Sequence, residues 1–245
     1  IHGNSSCKEV FRNQLEGNVG SIHHCVAFDL PGHGKSSDAR DPKKNYTMSG
    51  YADTAIELMR SLGYTRYAVL GWSLGGHIAI EMLSKTDDIT GIMISGTPPV
   101  GRGEEELGRG FLPHEHMGLA AKRDLTPEEA DAYARHTCGV NAPYEDFLGE
   151  AVVRTDGRAR EFMFGAFVAG EGCNQQETAC HAKVPIAIVN GADDFVVNNE
   201  FVAGLTYDTL WEDTVYLLDG IGHAPFWEVP NQFDEYLLRF LASLK

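Results

Sequence analysis

The chain has 245 residues, 43% of them hydrophobic and 22% charged, with a formal net charge of −15. That length fits one large domain, or a core with an inserted lid, and can bury a sizeable core. So acidic a balance argues against nucleic acid or an anionic membrane surface as partner and is easiest to reconcile with a small, neutral substrate.

The five cysteines, Cys7, Cys25, Cys138, Cys173 and Cys180, form no C-x-x-C pair. Neither a zinc ribbon nor a disulfide scaffold is indicated, and free thiols in a reducing, cytoplasmic setting are expected. No apolar run approaches the ~20 residues that span a bilayer. The chain opens on Ile1, so any leader is expected to have been removed already.

In chain order, Ile1-His-Gly-Asn-Ser-Ser6 reads as the tail of a strand running into a loop, which implies that N-terminal strands are missing. Ile22–Phe28 reads as a buried strand closed by the turn-rich Asp29-Leu-Pro-Gly-His-Gly-Lys-Ser36. Thr47 to Leu62 has helical periodicity and stops at Gly63. Tyr67 to Gly71 is a short apolar strand, Gly75 to Leu83 a helix, and Ile89–Ser95 another buried strand. This βαβαβ order predicts a mostly parallel sheet covered by helices on both faces.

From Thr97 to about His181 strand-like runs disappear and helix starts take over. Thr126-Pro-Glu-Glu129 is a capping box with proline at the first helical position, and Asn141 and Asn174 are further candidate starts. Residues 98–182 are therefore expected to form a helical lid inserted into a core made of 1–97 and 183–245. Within it His114-Glu-His116 and Glu104–Glu106 read as solvated faces, and Phe162, Phe164 and Phe167 as core packing. The alternation then resumes with strands at Val184–Asn190 and Thr214–Leu218, a helix at Glu200–Leu205 and an amphipathic helix from Pro230 to Lys245.

The chemistry centres on Gly71-Trp-Ser73-Leu-Gly75. A strand that reverses into a helix within so few residues strains its central residue, and flanking glycines give the turn room. The serine hydroxyl then stands clear of the sheet beside the N–H groups of a helix N-terminus. The motif alone also fits any glycine-rich strand–helix connection, so the rest of the chain must decide. A serine needs a base, and the base needs a carboxylate to orient it. Gly191-Ala-Asp193-Asp194 and Gly222-His223 follow later strands at the edge expected to carry Ser73. Asp194 is favoured over Asp193 as the acid, with Asp219 a weaker competitor. Leu74, after the nucleophile, and Asn4, in the early His2-Gly3 turn, offer amides for an oxyanion hole. Tyr133, Trp72 and Phe226 are read as pocket walls.

With His2-Gly3, Asp29-Leu-Pro-Gly-His-Gly-Lys-Ser36, Gly71-Trp-Ser73-Leu-Gly-Gly-His77, Gly191-x-x-Asp194 and Gly222-His223, the chain resembles the α/β-hydrolase superfamily throughout. The segments Ile1-His-Gly-Asn-Ser-Ser6, Gly96-Thr-Pro-Pro-Val100, Tyr133-Ala-Arg135, Thr137-Cys-Gly139, Thr155-Asp-Gly-Arg-Ala-Arg160 and Gly222-His-Ala-Pro-Phe226 are similar to the α/β-hydrolase type of N-acyl-homoserine lactonase. The resemblance implies Ser73 as nucleophile, His223 as base, Asp194 as its orienter, the Asn4 and Leu74 amides as oxyanion hole, and Tyr133 near the substrate entrance. In those lactonases the acid can be glutamate, and here Asp194 is one methylene shorter. No metal and no cofactor are implied. The expected activity is opening of the lactone ring of N-acyl-homoserine lactones. The alternatives are a general carboxylesterase, a C–C bond hydrolase of the same fold, or a ligand receptor without turnover. Acyl-chain preference and oligomeric state are not legible.

Overall fold

Tyr67–Trp72 (β1), Ile89–Ser95 (β2), Ile186–Gly191 (β3) and Leu210–Leu218 (β4) pair in that order, every pairing parallel. The computed structural model describes residues 1–139 and 141–244. Register sets Trp72 beside Ser95, Ile94 beside Ile188, and Gly191 beside Leu218. The loops leaving β1, β2, β3 and β4 therefore emerge at one carboxyl edge.

Helices α1 (Arg12–Glu16), α2 (Asn18–Ile22), α3 (Pro42–Asn45) and α4 (Met48–Ser61) precede β1, and α5 (Leu74–Leu83) joins β1 to β2. Between β2 and β3 lie α6 (Glu104–Gly110), α7 (Pro127–Thr137), α8 (Asp146–Arg154), α9 (Gly157–Val168) and α10 (Gln175–Cys180), with no strand among the described residues. The chain closes with α11 (Asn199–Gly204), α12 (Pro225–Glu228) and α13 (Pro230–Ser243).

Strand alternation explains the layers. Ile92, Ile94, Ile186 and Ile188 face a core shared with α4 and α5, whereas Met93, Ala187 and Val189 face one shared with α12 and α13. Successive residues of a strand point to opposite faces, so both faces need a helical cover. The stripe on α4 is Met48, Tyr51, Ala52, Ala55 and Ile56, the spacing of one helical face. Thr47 caps it by accepting from the Gly50 amide at 2.9 Å, and Gly63 ends it at φ +83. The capping box at Thr126 and Glu129 is formed, and Asn174 caps α10.

Two expected elements differ. Residues 23–28 lie in no ladder, because a groove of about 400 Å³ separates them from Tyr67–Leu70. Among the described residues only Ile1 hydrogen-bonds to that edge of β1, its amine donating to the Leu70 carbonyl at 2.6 Å and its carbonyl accepting from the Trp72 amide at 3.1 Å. No helix begins at Asn141 either. The Pro143 carbonyl accepts from Trp227 Nε1 at 2.8 Å, and α8 starts only at Asp146 after an extended Glu145. A residue preceding proline disfavours the helical region, which delays the start further. All five cysteines are free thiols, and no helix among the described residues is long and apolar enough to cross a membrane.

Candidate active site

Ser73 sits between β1 and α5 at φ +52, ψ −119, a region a serine adopts only under constraint, at a cost of about 1–3 kcal/mol. The constraint is local. A Cβ on Gly71 would lie 2.3 Å from the Gly75 carbonyl oxygen, and one on Gly75 would lie 2.0 Å from the Ile1 carbonyl oxygen. Two absent side chains thus let the turn close. The Ser73 amide donates to the Ser95 carbonyl at 2.9 Å, and its own carbonyl accepts from Thr97 Oγ1 at 2.9 Å.

Asp194 and His223, far apart in the chain, meet here. His223 Nδ1 lies 2.7 Å from Asp194 Oδ2, and both side chains are buried. The other carboxylate oxygen, Oδ1, accepts from the Val196 and Val197 amides at 2.8 and 3.2 Å, which fixes the carboxylate plane. With an acceptor at Nδ1, that nitrogen carries the proton and Nε2 is left with its lone pair. The His223 backbone is held as well: its carbonyl accepts from Trp72 Nε1 at 2.9 Å, and the Ala224 amide donates to the Cys138 carbonyl at 3.0 Å. Asp193 and Asp219 are exposed, and among the described residues neither is hydrogen-bonded to His223.

Ser73 and His223 line one cavity of about 500 Å³. No hydrogen bond joins Ser73 Oγ to His223 among those formed by the described residues. Such bonds often tighten only with substrate in place. Asn4, Leu74 and Tyr133 line the same cavity. The Asn4 loop is pinned by His2, whose Nδ1 donates to the Gly3 carbonyl at 2.8 Å while its Nε2 accepts from the Leu30 amide at 2.9 Å. The Asn4 side chain donates to the Ala120 carbonyl at 2.9 Å, tying this loop to the segment above. Among the described residues neither the Asn4 nor the Leu74 amide donates to another group. Two N–H donors are thus free beside the serine.

The remaining walls are largely apolar, with Met48, Leu107, Phe111, Met163, Phe164 and Phe167 among them. Trp72 and Phe226 are not walls. Both are sealed in the core behind the site, ring centroids 5.3 Å apart, because Trp72 shares the α13-facing side of β1 with Leu70. Phe162, Phe164 and Phe167 pack on the core as expected, and Phe164 and Phe167 also line the cavity, whereas His114 and His116 depart from the expected solvated face and line it too. An isolated bridge between Phe111 and Val197 brings the end of α6 down beside Asp194, which carries His114 into place. His77 also lines the cavity; its position four residues beyond Ser73 on one helix was the available signal. Burial holds its imidazolium down to about 4 and pushes the Tyr133 phenol up to about 12. Among the described residues no group of three or more histidine, cysteine, aspartate or glutamate side chains is placed to hold a metal.

The family model for the alpha/beta hydrolase fold matches residues 1–230. A solved structure of the N-acyl homoserine lactonase AidH complexed with N-butanoyl homoserine is 48% identical, covering 98% of this chain and 86% of that one, with a TM-score of 0.95. A mutant of that lactonase complexed with N-hexanoyl homoserine lactone is likewise 48% identical, covering 98% and 88%, with a TM-score of 0.95. The pimeloyl-[acyl-carrier protein] methyl ester esterase of Yersinia pestis is 26% identical over 223 residues, 89% of this chain and 82% of its own length.

Proposed function

The chain belongs to the alpha/beta hydrolase fold family, and from that premise we propose that it is a serine hydrolase that opens the ring of N-acyl-homoserine lactones. The observation that carries the hydrolytic part is the buried Asp194–His223 pair, whose histidine lines one apolar cavity with Ser73. The choice of lactone rests on the likeness, at 48% identity, to a lactonase with an acyl-homoserine in its structure.

Ser73 Oγ attacks the lactone carbonyl while His223 Nε2 takes its proton and Asp194 stabilises the imidazolium. The Asn4 and Leu74 amides receive the oxyanion, single donors in such holes being worth about 3 kcal/mol. His223 then returns the proton to the ring oxygen as the C–O bond breaks, leaving an acyl-enzyme with a tethered alcohol. Water activated by His223 releases the open-chain acid. Residues 98–182 act as the lid, with Tyr133 beside the substrate and Phe164 and Phe167 of α9 receiving the acyl chain.

A second reading, a carboxylesterase of simple esters, is favoured by the methyl ester esterase that matches at 26% identity. A pH-stat screen of acyl-lactones against simple alkyl and aryl esters, run with and without a chelator, tests the choice. The lactonase reading expects acyl-lactones to be the better substrates and chelator to make no difference. Fast simple esters with inert lactones would replace it by the esterase reading.

A further inference from the structure

The mechanism above leaves several polar groups of the cavity unused, and His77 is the buried one among them. His77 is 4% exposed, and the surface it keeps faces the space that holds Ser73. Its Nδ1 lies 2.6 Å from Gln175 Oε1, and Gln175 Nε2 lies 3.1 Å from Met48 Sδ. A thioether accepts hydrogen bonds and donates none, so the Gln175 amide must turn its NH₂ to the sulfur and its oxygen to the histidine. An oxygen acceptor at Nδ1 requires the proton there. Nε2 is then a bare lone pair, and it has no partner among the described residues, nor is it shut away from the cavity.

The rings of Phe111 and Phe167 flank the imidazole at centroid distances of 5.8 and 5.1 Å. They fix its plane and make the surroundings apolar, so an unpaired Nε2 is costly once a ligand has expelled water. Burial keeps the ring uncharged down to about pH 4, so it stays an acceptor under working conditions. The site therefore calls for an N–H donor about one helical turn from the serine. An amide nitrogen on the carbon next to the attacked carbonyl supplies one.

We infer that His77 Nε2 accepts a hydrogen bond from the substrate's amide N–H, so that the cavity selects α-acylamino lactones over their α-acyloxy counterparts. This rests on the lactonase reading and names the residue that confers its selectivity. The two lactones differ only in N–H against O, and the site's lone pair would face a second lone pair in the acyloxy case.

The test compares kcat/KM for an α-acylamino and an α-acyloxy γ-butyrolactone of equal chain length, in the wild type and in His77→Phe. The wild type is expected to prefer the acylamino lactone by about 10-fold or more, and the variant to bring that ratio to within about 3-fold of unity. Equal losses on both substrates would assign His77 a packing role and overturn the inference, as would an unchanged ratio. A binding measurement covers a variant that does not fold and a wild type that opens neither lactone. In ¹⁵N-histidine-labelled Ser73→Ala protein, the His77 Nε2 resonance moves upfield with the acylamino lactone and not with the acyloxy one. A still resonance overturns the inference. A moving resonance with no wild-type turnover leaves the recognition standing and removes only the lactonase reading.

Discussion

Asp194 holds His223 by a 2.7 Å contact from Oδ2 to Nδ1, while its Oδ1 is fixed by the amides of Val196 and Val197. One carboxylate thereby sets both the tautomer and the direction of the imidazole. Asp194→Asn would keep the shape but offer an NH₂ or a neutral oxygen to Nδ1. In the Ser-His-Asp template such a change drops kcat by about 10⁴. A loss of at least about 10³-fold in kcat, with the thermal midpoint shifted by only a few degrees, is expected in steady-state assays.

Gly3 sets how closely the Asn4 amide approaches the serine. A Cβ there would lie 2.9 Å from Trp72 Cε3 and 3.3 Å from Ser73 Cβ, and the Trp72 ring has no room to retreat. Gly3→Ala should displace the loop by some tenths of an ångström and weaken the proposed oxyanion donor at Asn4. The expected result is a fall in kcat of about 10- to 100-fold with KM changed far less. A raised KM with kcat unchanged would instead mean that the loop binds ground state and transition state alike.

Arg160 is buried at 4% exposure and has no carboxylate partner among the described residues. Its guanidinium donates to the Lys122 and Arg123 carbonyls at 2.8 and 3.0 Å and to Ser5 Oγ at 3.1 Å. One side chain on α9 therefore ties the 122–123 loop to the turn that carries Asn4. Arg160→Met keeps the bulk and removes the ties, leaving carbonyls unpaired. A destabilisation of about 3 kcal/mol in denaturant unfolding, together with a raised KM, is the expected outcome.

Three histidines are folded away uncharged. Burial lowers His2 from 6.5 to about 3, and His33 and His77 from 6.5 to about 4. The unfolded chain takes up these protons near pH 6.5 and the folded one only near pH 3–4, so in between the unfolded state binds more. Stability from this source is complete above pH 6.5 and is lost as pH falls toward 4, by up to about 4 kcal/mol per pH unit when all three differ fully. Unfolding free energies measured at pH 7, 6 and 5 should fall with increasing slope. His33→Gln, whose imidazole Nε2 has no partner, should flatten that fall.

Much of the frame was legible because its causes are local. The glycines around Ser73, the Thr47 cap, the Thr126 capping box and the spacing of Ser73, Asp194 and His223 all act within a few residues or follow from strand order. The contents of the cavity depend on how the helices between β2 and β3 fold over it, and no short window encodes that. His114 and His116 reach the cavity through the path of the chain after α6, so their polarity alone pointed to a solvated face; the spacing of Phe164 and Phe167 pointed to core, where they pack, but not to the cavity they also line. Trp72 was misplaced for an avoidable reason. It lies two residues beyond Leu70 on one strand, so it had to share that residue's face. Residues 22–28 had the composition of a strand, but a strand exists only with a neighbour in register, and across the groove there is none.

The nucleophile carries the central claim, and a single substitution isolates it. Ring opening of an N-acyl-homoserine lactone should be followed by pH-stat for the wild type and for Ser73→Ala of matching circular dichroism and thermal midpoint. The expected result is a fall in kcat of at least about 10⁴-fold, as when the serine of a comparable triad is removed. Undiminished ring opening by the folded alanine variant would contradict the assignment.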